Sequence, residues 1–136
     1  MPIAAVVADA NVLLSAAIGK AALRVFTEHR VVVHASEFNL LEVEEYLPQL
    51  TSRYRLPEHL VFVQWRTLSI VVHSIDAYAP EMAKAAEALR HRDPDDAHPL
   101  ALARMLELPL WSNDRDLQDL GVDCYPTAKL LKLLEE

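Results

Sequence analysis

The chain has 136 residues, 52% hydrophobic and 24% charged, which is one domain's length with an ordinary globular composition and excludes a disordered or fibrous class. Thirteen Lys and Arg against twenty Asp and Glu leave a formal charge of −7, which argues against duplex binding by bulk charge but suits a carboxylate-rich site that recruits cations. Cys124 is the single cysteine, so a disulfide framework and a C-x-x-C zinc site are excluded, and a domain of this size folds without either staple.

Residues 3–8 form a short continuous apolar run, the pattern of a strand buried on both faces. Stretch 1–19 is apolar enough to resemble a signal peptide, but it lacks a basic start and carries Asp9 in its middle. Helices are predicted over 11–18 and 20–29, then a second strand over 31–35 and a helix over 37–47. A helix over 57–68 leads to a third strand at 70–73, and helices over 80–90 and 100–106 lead to a fourth at 108–111. The last strand, 122–125, precedes a helix over 126–134. Pro57, Pro80 and Pro126 suit first helical turns, where the missing N–H matters least. No other uncharged run approaches the ~18 residues of a membrane span, and the chain reads as soluble and cytoplasmic, without a membrane partner.

Strands alternating with helices imply right-handed crossovers and a parallel sheet covered on both faces. No linker or repeat divides residues 1–136, which read as one domain. Sites in such sheets form at the carboxyl ends of strands, where strand order reverses.

Carboxylates recur at those places. Asp9 and Asn11 follow the first strand, and Glu42 lies in the helix after the second. Asp93, Asp95 and Asp96 precede the 100–106 helix, and Ser112, Asn113, Asp114, Arg115 and Asp116 follow the fourth strand. Each also has a plainer reading: Asp9 as a helix cap, the Asp93–Asp96 run as caps or helix-dipole partners, and Asp116 as a turn residue. Pro99 is tolerated only in a first turn, so its helix must begin close to Asp96. Asp93 precedes a proline and is biased to extended backbone, which predicts Asp96 aimed toward Asp114 and Asp95 facing solvent. Glu44 reads as solvated, whereas Glu42 shares a helical stripe with Phe38 and Tyr46. Lys20, Arg24, Arg92 and Arg115 lie near these segments and could meet phosphates or be ordinary surface charges. Histidines 29, 34, 59, 73, 91 and 98 lack H-E-x-x-H or paired ligand spacing and read as structural or solvated, and Cys124 reads as inert.

Asp9-Ala-Asn11-Val-Leu-Leu-Ser15, Ser36-x5-Glu42-Val-x-Glu45, Arg92-Asp-Pro-Asp-Asp-Ala-His-Pro-Leu-Ala-Leu-Ala103 and Trp111-Ser-Asn-Asp-Arg-Asp-Leu117 together resemble the four acidic motifs of PIN-domain ribonucleases, most closely the bacterial VapC-like toxins and their uncharacterised relatives. The likeness runs over essentially the whole chain. It implies an α/β/α sandwich with a five-stranded, mostly parallel sheet ordered 3-2-1-4-5. Residue by residue, it places the first three motif carboxylates on Asp9, Glu42 and Asp96, with Asp93 the alternative for the third, and the fourth on Asp114. Asn11, Ser112, Asp93 and Asp116 stand in supporting positions. One departure is that Leu106-Glu-Leu-Pro109 lacks the glycine many relatives carry before the fourth strand.

The resemblance implies a Mg²⁺- or Mn²⁺-dependent endoribonuclease whose cation is held by Asp9, Asp96 and Asp114, with Glu42 acting directly or through water. Hard oxygen donors favour these ions over zinc. RNA is the implied substrate; in the toxin-like branch, a protein antitoxin and a homodimer enter as partners. Two other classes stay open. A haloacid-dehalogenase-like phosphatase also places Asp-x-Asp after its first strand, although Asn11 replaces the second Asp; a phospho-receiver lacks its acidic pair and a suitably placed Lys here. A catalytically silent module that binds nucleic acid or a partner also stays open, because an intact site does not prove turnover.

Overall fold

The structure is a computed structural model and describes residues 3–136. Residues 1 and 2, which begin the apolar N-terminal stretch and the predicted domain, lie outside the described residues. Five strands, β1 (Ala5–Ala8), β2 (Val32–Ser36), β3 (Ile70–His73), β4 (Leu110–Trp111) and β5 (Cys124–Tyr125), form one sheet in the order β3-β2-β1-β4-β5. All four pairings are parallel, with Val7 opposite His34 on one side and opposite Leu110 on the other. Among the described residues, seven α-helices surround the sheet: α1 (Ala10–Ala17), α2 (Leu23–Thr27), α3 (Glu37–Arg53), α4 (Glu58–Thr67), α5 (Ile75–Ala88), α6 (Ala97–Leu106) and α7 (Thr127–Leu134).

Successive strand residues point to opposite faces, which is why the buried strands read as unbroken apolar runs. Val6 and Ala8 join Val33, Ala35 and Trp111 in a core under α1, α3 and α4. Val7 and Leu110 face the other way, into a core with Tyr78, Ala85 and Leu100 from α5 and α6. The edge strand departs from that pattern. Residues 70–73 read as buried on both faces, yet Val71 and Val72 are 44% and 48% exposed, because β3 has a neighbour on one side only.

One proline and one helix end depart from expectation as well. Pro80 lies inside α5, which begins at Ile75, because the fully buried Tyr78 anchors the turn before it. Pro48 lies inside α3, which runs on to Arg53 rather than ending near 47. Leu47 and Thr51 are buried on either side of Pro48, while Glu44, whose carbonyl loses its partner, is exposed to water. In contrast, Pro99 is the third residue of α6, so that helix starts directly after Asp96 as expected. The missing glycine has a visible consequence: Glu107 ends α6 in the left-handed region, at φ 56 and ψ 44.

Candidate functional site: carboxylates where the strand order reverses

Strands β1 and β4 are neighbours whose connections leave in opposite directions, so their carboxyl ends frame the crevice at the reversal point. Asp9 follows β1, is 5% exposed and caps α1, its carboxylate accepting from the Val12 N–H at 3.0 Å. Its plainer reading as a cap therefore holds alongside its place in the crevice. Ser112 follows β4 and is fully buried; its hydroxyl accepts from the Asp114 N–H at 3.0 Å and hydrogen-bonds to the Asp9 carboxylate. One side chain thus ties the two strand ends together. Asn113 accepts from the Thr127 N–H at 2.8 Å, which pins the Asp114 loop to the start of α7.

The Asp93–Asp96 run is a cap and a single 3₁₀ turn, Pro94–Asp96. Such a turn has three residues per revolution, so Asp93 and Asp96 eclipse one another. Both line the crevice on each side of the ridge they form, one side shared with Glu42 and the other with Asp114 and Asp116. Asp93 accepts from the Asp95 N–H at 3.0 Å, whereas Asp96 makes no side-chain capping bond at the start of α6. Asp95 does not face solvent as expected. The 3₁₀ turn rotates it toward α3, where it is half-buried and within hydrogen-bonding reach of Glu42.

Glu42 is held from below by a short relay. Ser36 caps α3 and accepts from the Asn39 N–H at 3.0 Å, its hydroxyl donates to Asn39 Oδ1 at 2.9 Å, and Asn39 Nδ2 donates to Glu42 Oε1 at 2.7 Å. Next to Ser36, Tyr78 Oη and His98 Nδ1 are 2.7 Å apart, and the His98 ring stacks on Phe38 at 3.8 Å. His98 is therefore a structural histidine, as are His34 and His73, whose ring nitrogens meet at 2.9 Å across β2 and β3.

The electrostatics follow from this crowding. Burial, reinforced by Asp114, raises the Asp9 carboxyl above its ordinary range despite hydrogen bonds from Ser112, Val12 and Asn11. Burial pushes Asp96 up to about 6, and Asp114, Asp93, Asp9 and Asp95 all add to it. Glu42 is pushed up to about 7 by burial, with Asp95 and Asp93 adding and the Asn39 amide opposing. A divalent cation with oxygen ligands would relieve this repulsion, and the donor set suits a hard ion. Among the described residues, however, no three His, Cys, Asp or Glu side chains already surround one point closely enough to hold an ion.

Of the expected site residues, Asp9, Asp96 and Asp114 converge, Glu42 joins from α3, and Ser112 lies beneath them. Asn11 is exposed at the rim, and Asp116 pairs with Arg92 at the edge. That pairing takes up Arg92, as Glu28 and Glu135 take up Arg24, and Lys20 rests over the Tyr54 ring at 5.1 Å. Burial pushes the Cys124 thiol up to about 11, in keeping with an inert cysteine. Asp95 lines the cavity against expectation, and Asn39 and Arg53 also line it and were not singled out from sequence. Ser36-x-x-Asn39-x-x-Glu42, with its helical spacing, was the available signal for Asn39.

The sequence profile of the PIN domain matches residues 7–135. Among solved structures, a toxin–antitoxin complex from Klebsiella pneumoniae superposes with a TM-score of 0.62 at 18% identity, covering 85% of this chain and 92% of that one. A protein from Pyrobaculum aerophilum superposes with a TM-score of 0.66 at 13% identity, covering 100% and 98%. No curated protein matches the sequence. At these identities the two structures speak for the fold, whereas the profile spans nearly the whole length: the chain belongs to the PIN-domain family.

Proposed function

We propose that the chain is a metal-dependent endoribonuclease. The observation that carries this reading is the position of Asp96, whose carboxyl feels Asp114, Asp93, Asp9 and Asp95 together at the point where the strand order reverses. Folding alone gives no reason to gather four like charges around a fifth. Asp9, Asp96 and Asp114 would hold Mg²⁺ or Mn²⁺. When bound, such a cation supplies neutralisation of the scissile phosphate, a more acidic water and support for the leaving oxygen.

The chain's own groups divide the remaining work. Ser112 orients Asp9 and Asp114 relative to one another. Asn39 fixes Glu42 with one oxygen engaged, and a carboxyl near about 7 can take or return a proton at neutral pH. Asn11, exposed at the rim, can donate to a phosphate oxygen. Asp93 and Asp116 support from the turn and from the Arg92 pair.

The Klebsiella pneumoniae structure is a toxin–antitoxin complex, which supports a toxin role and a protein antitoxin as partner. A homodimer and a cytoplasmic location complete the proposal. Among the described residues, no helix is long and apolar enough to cross a membrane. A catalytically silent binding module is the second reading, favoured by the lack, among the described residues, of three such side chains already grouped around one point.

Single-stranded RNA incubated with purified protein, with Mn²⁺ or with EDTA, separates the two. Cleavage that needs the metal, vanishes in Asp9→Asn and leaves 5′-phosphate and 3′-hydroxyl ends supports the nuclease. Metal-independent cleavage or a 2′,3′-cyclic phosphate end overturns it. Binding of Mn²⁺ and RNA without cleavage supports the silent module.

A further inference from the structure

We propose that the lower half of the cavity is a nucleobase subsite, in which α3 presents Tyr46, Leu50 and Arg53 to one unstacked base and its phosphate beside the scissile bond of single-stranded RNA. The proposal rests on the ribonuclease reading of the neighbouring carboxylates.

The cavity has a volume of about 370 Å³, and its composition changes along α3. Asn39, Glu42, Tyr46, Gln49, Leu50 and Arg53 form one helical stripe lining it. The upper end is acidic, with Glu42 facing Asp95. Below Glu42 the wall becomes an aromatic ring, an amide, an isobutyl group and a guanidinium, and Leu14 of α1 and Pro99 of α6 add apolar surface. At 1.5 Å per residue, Glu42 and Arg53 are about 16 Å apart along the helix axis, room for more than one nucleotide.

Packing accounts for little of this stripe. Tyr46 is 45% exposed, and its ring meets no other aromatic ring or cation among the described residues. Arg53 has no carboxylate within 4.0 Å among the described residues, although the chain carries twenty Asp and Glu. Arg24, Arg90 and Arg92 are paired with carboxylates; among the described residues Arg30, Arg55, Arg66, Arg104 and Arg115 are not, and of the unpaired guanidiniums Arg53 is the one lining the cavity. An aromatic face, an apolar wall and an unpaired guanidinium are what holds a splayed-out base and its phosphate in single-stranded recognition. Bases inside a duplex are stacked and cannot enter such a slot.

The test uses a fluorescein-labelled oligouridine with no duplex structure. Its anisotropy is read against Asp9→Asn protein, which keeps the RNA whole, and against the same protein with Tyr46→Ala, Tyr46→Phe or Arg53→Gln added. Cleavage is then measured with otherwise wild-type protein. Tyr46→Ala should weaken binding about tenfold, and Tyr46→Phe should retain it. Arg53→Gln should weaken it and flatten its dependence on salt. In cleavage, Tyr46→Ala should raise KM with kcat nearly unchanged. Metal-dependent cleavage with binding and KM indifferent to Tyr46 and Arg53 overturns the subsite and leaves the nuclease reading standing. Oligouridine that binds through Tyr46 and Arg53 but is never cut supports the subsite and overturns the nuclease reading. No binding by any form overturns the subsite. Because Tyr46 and Arg53 are both exposed, far-UV circular dichroism should show all variants folded.

Discussion

Replacing Asp9 by Asn should abolish cleavage while leaving the metal-free protein as stable as the parent, or more stable by up to about 1 kcal/mol. Asp9 is almost fully buried, and burial with Asp114 outweighs its three hydrogen-bond donors, so its carboxyl is raised. A raised carboxyl contributes stability below the unfolded pKa and loses it as pH climbs through the folded one. Without metal, the folded parent therefore carries a carboxyl whose ionisation both burial and Asp114 oppose. Asn has no charge to form there and remains a good cap, with its oxygen still available to the Val12 N–H. Asp9→Ala is the informative contrast. It loses the cap, which leaves the Val12 N–H unpaired, about 1 kcal/mol, and leaves the buried Ser112 hydroxyl without its carboxylate, about 1–2 kcal/mol more. Urea unfolding in EDTA at pH 7.5 should then separate the Asn and Ala variants by about 3 kcal/mol. Millimolar MnCl₂ should reverse the order of parent and Asn variant, since a ligand stabilises the form that binds it, by about 2.7 kcal/mol at a hundred times its Kd. If Asn and Ala destabilise equally, the carboxylate is structural and the repulsion argument fails; if Mn²⁺ protects parent and variant alike, Asp9 holds no cation.

Metal-free stability should fall between about pH 5 and 7.5, because Asp96 near about 6 and Glu42 near about 7 both hold protons in the folded state that the unfolded chain has released. Both groups are partly solvated, so the fall is set at about 2 kcal/mol rather than the full shift, and a profile no flatter in Glu42→Gln with Asp96→Asn would refute it. Asp96→Asn should cost at least about a hundredfold in cleavage rate, on the order of 3 kcal/mol of barrier, and Asp95→Asn less than about tenfold. Asp95→Asn should also move the acidic limb of the pH–rate profile downward, because Asp95 helps hold Glu42 up; a dead Asp93→Asn beside an active Asp96→Asn would reassign the third motif. Glu107→Gly should stabilise the protein by about 1 kcal/mol, relieving a left-handed non-glycine residue, and a melting temperature at or below that of the parent would show the strain to be absorbed elsewhere.

The parts of the fold legible in the sequence are those where one physical effect dominates. Residues 3–8 announce a strand because Val6 and Val7 enter opposite cores and neither face tolerates a polar group. Ile70–His73 gave the same signal for a different reason: it is an edge strand with both its valines exposed, and apolar content alone does not separate the two cases. Prolines marked helix starts where nothing competed, at Pro57, Pro99 and Pro126. Pro80 misled, because Tyr78, buried in the turn before it, starts α5 earlier; and α3 ran past the expected end near 47 and through Pro48 because Thr51 is buried beyond it, tertiary packing outweighing a lost hydrogen bond in both cases. The site divides in the same way. That Asp9 and Asp114 meet was legible because both lie just beyond the carboxyl ends of buried strands, which adjoin where the strand order reverses. Asp95 was misread because its direction depends on the phase of a 3₁₀ turn, and Arg53 was missed because it belongs to the cavity only if α3 continues past Pro48.

How the carboxylates are held explains why they can converge without yet surrounding one point. Asp9 is gripped by Val12, Asn11 and Ser112, Asp114 accepts from the Asp116 N–H at 2.9 Å, Asp93 from Asp95, and Glu42 from Asn39. Each of those carboxylates is fixed by a donor from its own strand end or helix turn. Asp96 stands apart, with no capping bond and four like charges around it. It sits at the junction of a short 3₁₀ turn and α6, where a small change in the turn moves its carboxylate without disturbing either core. On the proposed nuclease reading, closure around a cation would come mainly from Asp96 moving toward groups that are already fixed. That is why Asp96→Asn is expected to cost activity so heavily while leaving the packing of the domain untouched.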